Sequence, residues 1–286
     1  MRIFITGADG QLGHELQRVL ADDTVICGVW PSFDLLKPDA GRQILAARPD
    51  AVIHTAAYTQ VDGAEENRDL AMAVNAEGIR HVAEAASQAQ ARLIYISTDY
   101  VFDGAKREPY DERDAPNPIN VYGRSKLEGE RHVLVACEDS VVVRTSWLYG
   151  AHGQNFIKTI IGLAGRQSEL RVVADQHGCP THAGDLAEAL SRLVRIELRG
   201  IVHAVGTGHC TWYDLACTVL TLVGAPVTVS PISTSEAKRA AARPPWAILG
   251  NRVLAAAGIT LPHWKISLER FIQDQKKAEV EAKVVR

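Results

Sequence analysis

The first half of the chain alternates short apolar runs with longer runs in which apolar positions recur every three or four residues. The short runs predict β-strands, at residues 2–6, 24–30, 51–54 and 92–96. The longer runs predict the helices between them, at residues 14–20, 41–48 and 70–89. This alternation is typical of a parallel sheet with helices on both faces. We therefore expect an α/β fold built on a Rossmann-type, doubly wound parallel sheet.

The second half of the chain has a less regular pattern. Apolar runs predict further strands, at residues 141–144, 170–173, 200–205 and 227–232. We expect a dinucleotide-binding domain at residues 1–146 and a smaller C-terminal substrate-binding lobe at residues 147–286. Segments within about residues 170–223 are expected to return to the Rossmann domain. Residues 272–286 are rich in charge and predict a frayed helix or a mobile tail.

Composition narrows the class of protein. The 286 residues are 47% hydrophobic with a net charge of −3 and interspersed signs, so we expect no nucleic-acid partner. The five cysteines form no Cys-x-x-Cys motif, and the odd count predicts free thiols in a reducing compartment. Neither a signal segment nor an apolar run of roughly 18 residues is evident, so we expect a cytoplasmic protein without a membrane partner.

A glycine-rich turn separates the first strand from the first helix. Gly7, Gly10 and Gly13 have the spacing G-x-x-G-x-x-G. In this context a pyrophosphate can lie against backbone N–H groups at the helix N-terminus. We therefore expect Gln11 and Leu12, together with the three glycines, to bind a dinucleotide.

The ends of the next two strands bear on the choice of cofactor. After the second strand the chain reads Trp30-Pro31-Ser32, without the acidic residue that holds an NAD ribose or the arginine that holds a 2′-phosphate. Asp34 and its neighbour Leu35 are expected to reach the adenosine. Either NADPH or NADH fits, with NADPH preferred because no carboxylate repels a phosphate. After the third strand, Ala56, Ala57 and Tyr58 are expected to let the cofactor approach the backbone.

Two polar residues near these strands have more than one interpretation. His54 is expected to be a core histidine rather than a ligand, because it ends a buried strand. Asn75 falls in an apolar stretch of the long helix. Its amide either reaches the active site through water or caps a neighbouring loop, and the sequence leaves both open.

Tyr122 and Lys126 are four residues apart, so on a helix they share one face. An ammonium beside a phenol favours the phenolate and lowers a tyrosine pKa from about 10. Thr98 ends the strand before this helix, where hydroxyls of a parallel sheet face the cleft. The three side chains could converge on one carbonyl oxygen, as hydride reduction of a ketone requires. Taken singly, each also fits an ordinary strand or helix position.

Together these motifs resemble the extended short-chain dehydrogenase/reductases, and most closely the dTDP-4-dehydrorhamnose reductase family. The resemblance rests on five segments, at residues 7–13, 97–104, 122–126, 144–147 and 175–181. Nucleotide-sugar dehydratases usually carry a glutamate base where this chain has Tyr100. The difference favours carbonyl reduction over dehydration.

The resemblance implies a reaction. Tyr122 would protonate the C4 oxygen of dTDP-4-dehydro-L-rhamnose as the nicotinamide delivers hydride to C4, giving dTDP-L-rhamnose. Lys126 would bind the nicotinamide ribose and lower the pKa of the tyrosine. Thr98 would hydrogen-bond the reacting oxygen, and Asp99 and Tyr100 would contact the substrate beside it.

Three further substrate contacts are expected in the second half. The resemblance implies that Trp147 packs against the sugar and that Asn155, also a suitable helix N-cap, contacts the ligand. Arg243 precedes two prolines and suits a bidentate grip on a diphosphate. Residues 246–249 depart from the family pattern, which makes Arg243 the weakest of the transferred assignments.

Other partners and activities stay open at this point. Some members of the family dimerise through a magnesium ion held partly by a glutamate that Glu15 matches. Further acidic ligands are not evident near residues 185–188, so neither Mg²⁺ nor any other metal is assigned and a homodimer is left open. The alternatives are another nucleotide-sugar reductase, an epimerase that retains NAD, or a non-catalytic regulatory subunit.

Overall fold

The computed structural model describes residues 1–37 and 39–284. Its strands are β1 (Arg2–Thr6), β2 (Thr24–Gly28), β3 (Ala51–His54), β4 (Arg92–Thr98), β5 (Ser140–Thr145), β6 (Leu148–Tyr149), β7 (Glu169–Val173), β8 (His177–Gly178), β9 (Thr181–His182), β10 (Gly200–His203), β11 (Cys210–Thr211) and β12 (Thr228–Ile232). Its α-helices are α1 (Gln11–Val19), α2 (Asp39–Ala47), α3 (Val61–Glu66), α4 (Arg68–Met72), α5 (Ile79–Gln88), α6 (Val121–Ala136), α7 (Phe156–Ala164), α8 (Ala183–Leu193), α9 (Trp212–Val223), α10 (Thr234–Ala237), α11 (Arg252–Ala256) and α12 (Trp264–Val284).

Six strands form one parallel sheet in the order β10-β5-β4-β3-β1-β2. The chain runs outward from β1 to β2 and then returns to place β3 on the other side of β1. The carboxyl ends of β1 and β3 therefore flank a topological switch point, where open α/β sheets bind ligands. This architecture confirms the predicted fold class.

Each face of the sheet is covered by helices. Side chains on successive residues of a strand point to opposite faces, so Ile3 and Ile5 lie on one side and Phe4 on the other. The first side packs on α1 and α8, and the second packs on α2 and α5. Because both faces are buried, the inner strands carry continuous apolar runs instead of alternating apolar and polar residues.

The predicted helix at residues 70–89 is divided into α4, a π-helical segment at Ala73–Gly78 and α5. Asn75 lies within the π-helical segment, is buried, and binds both backbone groups of Tyr58 over 2.8 and 3.0 Å. Its amide also donates to Ser125 Oγ over 3.0 Å. The second interpretation of Asn75 therefore fits the structure, in which its amide binds the neighbouring loop at Tyr58.

Some element ends differ from the sequence pattern. β2 ends at Gly28 rather than residue 30, because the chain turns there and the Phe33 N–H donates to the Val29 carbonyl over 2.8 Å. The predicted frayed segment begins inside α12, which is helical to Val284; residues 285 and 286 lie outside the described residues. Over residues 1–37 and 39–284, no helix combines the length and apolar character needed to cross a membrane.

A second hydrophobic cluster lies away from the main sheet. It joins α7, α9 and α12 to a two-stranded parallel sheet of β7 and β12. The intervening α8 packs on α1, and β10 pairs with β5 of the main sheet. The division of the chain at residue 146 into a dinucleotide-binding domain and a substrate lobe stays a prediction.

Candidate active site

A cleft of about 900 Å³ opens at the carboxyl ends of β1, β3 and β4. It is lined by most of the side chains and glycines that the sequence singled out: Gly7, Gly10, Gln11, Leu12, Asp34, Leu35, Ala56, Ala57, Tyr58, Thr98, Asp99, Tyr100, Tyr122, Lys126 and Trp147. Residues from distant parts of the chain thus share one cavity, which is large enough for a cofactor-sized ligand.

The glycine turn forms one end of the cleft and needs its glycines for steric reasons. Gly7 has φ +65°, and a Cβ there would lie 2.8 Å from the Ala56 backbone. Gly10 is the N-cap of α1, so this helix begins at the cleft wall and its N-terminus suits an anion. Gly13 does not line the cleft. A Cβ at Gly13 would lie 2.4 Å from the Gly7 carbonyl, so this glycine lets α1 pack on the turn.

The loop after β2 forms the far wall of the same end. Asp34 Oδ1 accepts a hydrogen bond from the Leu36 N–H over 3.0 Å and pairs with Lys37 across 3.7 Å, so its carboxylate is already engaged locally. Trp30 also lines the cleft although its side chain is 73% exposed. The sequence pattern indicates no role for Trp30, and the available signal is a large aromatic residue just after a strand end.

The start of α6 places Tyr122 in the cleft. Asn120 caps the helix by accepting a hydrogen bond from the Gly123 N–H over 2.7 Å. A Cβ at Gly123 would lie 2.1 Å from the Tyr100 carbonyl oxygen, so glycine allows α6 to lie against the turn that follows β4. The rings of Tyr100 and Tyr122 then meet edge to face at 5.7 Å.

Lys126 lies one turn further along α6 and is 2% exposed. Its ammonium donates to the Ile96 carbonyl over 2.7 Å and lies 4.2 Å from the Tyr95 ring centroid. Burial lowers the pKa of Lys126 to about 7, partly opposed by the carboxylate of Glu130. The lysine can therefore change charge near neutral pH, which an exposed lysine cannot.

A buried ion pair lies one turn beyond Lys126 on α6. Glu130 binds the Arg144 guanidinium through two hydrogen bonds of 2.9 and 2.7 Å, and both side chains are almost fully buried. Ser97 also donates to Glu130 over 2.5 Å. The pair joins α6 to β4 and β5 and so fixes the helix that carries Tyr122 and Lys126.

The expected lowering of the Tyr122 pKa is wrong for the protein alone. Burial in the cleft raises this pKa above its ordinary value, and the neighbouring Thr98 hydroxyl lowers it only in part. Lys126 holds the Ile96 carbonyl instead of the phenol. The phenol is therefore protonated at neutral pH, the state that a proton donor needs.

Asn155 and Arg243, both predicted substrate contacts, do not line the cleft. Asn155 caps α7 and donates to Gln11 Oε1 over 2.8 Å, so it touches a cleft residue without entering the cavity. Arg243 grips Asp62 through two hydrogen bonds of 2.9 and 2.8 Å, which lowers the pKa of Asp62 to about 2. Their roles toward a ligand stay predictions.

Trp147 lines the cleft and has an aromatic partner that the sequence pattern did not indicate. Its ring stacks on Trp212 with centroids 3.5 Å apart and planes 7° apart, and both line the cavity. Trp147 has φ +46°, and a Cβ at Gly178 would lie 2.3 Å from its indole. The pair therefore presents a firmly held aromatic surface. Sequence spacing could not reveal a contact between residues so far apart in the chain.

The histidine and acidic residues of the described part of the chain form no evident metal centre. Within residues 1–37 and 39–284, no group of three or more His, Cys, Asp or Glu side chains is placed to hold a metal ion. Glu15 pairs with Arg18 across 2.9 Å. His54 is buried 2.8 Å from Thr6 Oγ1, and burial, aided by Lys126, lowers its pKa to about 3. His54 is thus a neutral core residue.

Comparison with known proteins identifies the family. The model of the family described as RmlD substrate binding domain matches residues 1–277. A dTDP-4-dehydrorhamnose reductase of Sinorhizobium fredii is 41% identical, over 95% of this chain and 97% of the relative. The chain belongs to the dTDP-4-dehydrorhamnose reductase family. The predicted family and the predicted oxidoreductase class are confirmed.

Two further relatives are similar to this chain over nearly its whole length. A crystal structure of the Bacillus anthracis enzyme in complex with NADP is 42% identical, with a TM-score of 0.93 over 96% of this chain and 99% of that one. A Streptomyces antibioticus protein, named a probable dTDP-4,6-dihydroxy-2-methyloxan-3-one 4-ketoreductase, is 41% identical over 98% of this chain and 97% of the relative. The Sinorhizobium and Streptomyces relatives, which are equally identical to this chain, are thus named for different sugars.

Proposed function

We propose that this protein uses a nicotinamide cofactor to reduce the C4 keto group of dTDP-4-dehydro-L-rhamnose, giving dTDP-L-rhamnose, with Tyr122 as the proton donor. The observation that carries the proposal is the convergence of Thr98, Tyr122 and Lys126 in one cleft that also contains a dinucleotide-type glycine turn. The Sinorhizobium relative has a name that matches this reaction.

The residues of the chain divide the work of such a reduction. A nicotinamide cofactor with its pyrophosphate at the glycine turn would supply the hydride. The Tyr122 phenol, kept protonated by burial, donates its proton to the oxygen that gains negative charge. The Thr98 hydroxyl stabilises the same oxygen by a hydrogen bond. Lys126 uses one N–H on Ile96 and keeps the other two for the ribose of the cofactor.

NADPH is the preferred cofactor in this proposal, with NADH as the alternative. The crystal structure of the Bacillus anthracis relative contains NADP. Here β2 ends without an acidic residue, and the carboxylate of Asp34, in the loop that follows, accepts a hydrogen bond from the Leu36 N–H and pairs with Lys37. A 2′-phosphate would therefore meet little negative charge at this end of the cleft.

The sugar nucleotide would lie beside Trp147. Asp99, Tyr100 and Trp147 all line the cleft and would contact it. Arg243 uses three of its five N–H donors on Asp62 and the Ala241 carbonyl, so it would bind a diphosphate through its remaining donors or by exchanging Asp62 for phosphate oxygens. Neither Mg²⁺ nor a homodimer enters the proposal.

The test is turnover of enzymatically prepared dTDP-4-dehydro-L-rhamnose by the purified protein with NADPH and, separately, with NADH. Loss of reduced-cofactor absorbance with formation of dTDP-L-rhamnose is expected, faster with NADPH. Protein that binds NADPH but does not oxidise it would contradict this substrate, and the dTDP-keto sugars named for the Streptomyces relative would be tried next. Tightly retained NAD after purification would instead indicate an epimerase.

A further inference from the structure

Asp99 is a buried carboxyl group in the cleft with one oxygen left unbound. The residue is 2% exposed, and among the described residues its Oδ2 atom has no hydrogen-bond partner. Its Oδ1 atom accepts a hydrogen bond from the Thr98 hydroxyl over 3.1 Å. A buried carboxylate without a cation beside it is unfavourable, so a functional reason for this arrangement is expected.

Thr98 connects Asp99 to the reacting centre. A threonine hydroxyl has one proton and two lone pairs. The Thr98 oxygen already accepts the Tyr100 N–H over 3.2 Å, and its hydroxyl faces both Asp99 and the Tyr122 phenol. The single proton cannot serve Asp99 and the reacting oxygen together, so these two acceptors compete for it.

We propose that Asp99 is a positioning residue whose protonation state decides whether the Thr98 hydroxyl proton is held by Asp99 or is available to the reacting carbonyl oxygen. An ionised Asp99 accepts that proton. A protonated Asp99 can instead donate its own hydrogen to the Thr98 oxygen, which turns the Thr98 proton toward the substrate. This inference rests on the proposed carbonyl reduction and adds a pH control to it.

The groups around Asp99 keep its pKa near neutral pH. The titratable groups facing it are Tyr100 beside it, Tyr122 on α6 and Cys179 in the segment before β9, all of them neutral when protonated. Burial raises the pKa of Asp99 to about 7, and the Thr98 hydrogen bond lowers it only in part. The productive, protonated form therefore predominates below neutral pH and is lost as pH rises through about 7.

Lys126 complicates the pH profile, because its own pKa is also lowered to about 7. Activity could therefore fall above neutral pH through either group. Asp99→Asn separates them, since asparagine keeps the size and hydrogen-bonding capacity of the acid but does not titrate. Asp103→Asn is the matched control; this nearby aspartate binds Ala105 N–H and Asn117, and its pKa is lowered, so it stays ionised throughout.

The experiment is the pH dependence of kcat for wild type, Asp99→Asn and Asp103→Asn. Between roughly pH 6 and pH 8 the wild type is expected to lose about tenfold more activity than Asp99→Asn, as one titrating group requires. Asp103→Asn should follow the wild type. Parallel profiles for wild type and Asp99→Asn would overturn the inference and assign the alkaline loss to Lys126. A wild type without turnover at any pH would contradict the proposed function itself.

A second measurement, which does not depend on activity, tests the inference even if a variant folds poorly. Carboxyl-carbon NMR of ¹³C-aspartate protein should show one aspartate titrating near neutral pH, and Thr98→Val should shift that titration to higher pH by removing a hydrogen bond that favours the carboxylate. An aspartate spectrum with every group ionised at pH about 6 would overturn the inference independently of any activity.

Discussion

The Lys126 ammonium donates a hydrogen bond of 2.7 Å to the Ile96 carbonyl oxygen inside the protein. One backbone carbonyl compensates only part of the hydration that a buried ammonium loses. This is why the pKa of Lys126 is lowered to about 7. The residue assigned to the cofactor is therefore expected to lower the stability of the fold.

Lys126→Met tests this cost. The lysine pKa falls from 10.5 in the unfolded chain to about 7 in the folded protein, so the folded state binds fewer protons between these values. The penalty is complete below about pH 7 and fades as pH rises toward 10.5. We expect Lys126→Met to unfold at higher urea concentration near neutral pH, with a gain of about 1–3 kcal/mol that shrinks toward alkaline pH.

Lys277→Met provides the control for that comparison, because Lys277 is exposed on α12. Its unfolding free energy should differ little from that of the wild type at either pH. A Lys126→Met variant that is less stable than the wild type near neutral pH would show that the hydrogen bond to Ile96 outweighs the lost hydration.

The parts of this fold that the sequence predicted are those encoded by local periodicity. β1, the glycine turn and α1 follow one another within 19 residues, and each has its own pattern. Tyr122 and Lys126 share a helix face because their spacing is close to one turn. Such features need no knowledge of distant residues. The same holds for Asn155, whose side chain caps the helix immediately after it.

The parts that the sequence could not supply depend on contacts between distant residues. Arg243 binds Asp62, which lies 181 positions away in the sequence. The residues around Arg243 give no sign of this contact, which competes with the predicted binding of a diphosphate. The Trp147–Trp212 stack has the same origin. The raised pKa of Tyr122 also depends on tertiary packing, because burial and not the adjacent lysine is its largest cause.

Tyr122→Phe should remove most turnover while leaving cofactor binding intact. Phenylalanine keeps the ring that packs against Tyr100 and removes only the hydroxyl group that carries the transferable proton. Loss of a positioned general acid costs about 10²–10⁴-fold in rate. The measurement is kcat together with the NADPH dissociation constant. Tyr213→Phe, on α9 outside the cleft, should change neither quantity, and unchanged turnover in Tyr122→Phe would exclude it as the proton donor.

Gly10→Val should block the cofactor. Even a Cβ at Gly10 would lie 3.1 Å from the Gly7 carbonyl, and the branched side chain would extend into the cleft where the pyrophosphate is expected. The dissociation constant for NADPH, measured by quenching of tryptophan fluorescence, should rise at least tenfold, which corresponds to about 1.4 kcal/mol. Gly162→Val is the matched control, because a Cβ there meets nothing within 4 Å. NADPH binding of wild-type strength in Gly10→Val would refute the placement of the pyrophosphate.

Trp147→Leu should weaken binding of the sugar nucleotide and leave binding of the cofactor unchanged. The indole is held against Trp212 in the cleft, and its removal takes away an aromatic surface that the sugar is expected to contact. Aromatic contacts of this kind contribute about 0.5–1.5 kcal/mol, so KM for the dTDP-sugar should rise roughly 2–12-fold at an unchanged NADPH dissociation constant. Trp246→Leu is the control, since that indole donates to the Glu108 carbonyl outside the cleft. An equal rise of KM in both variants would mean that general loosening of the lobe, and not contact with the sugar, explains the effect.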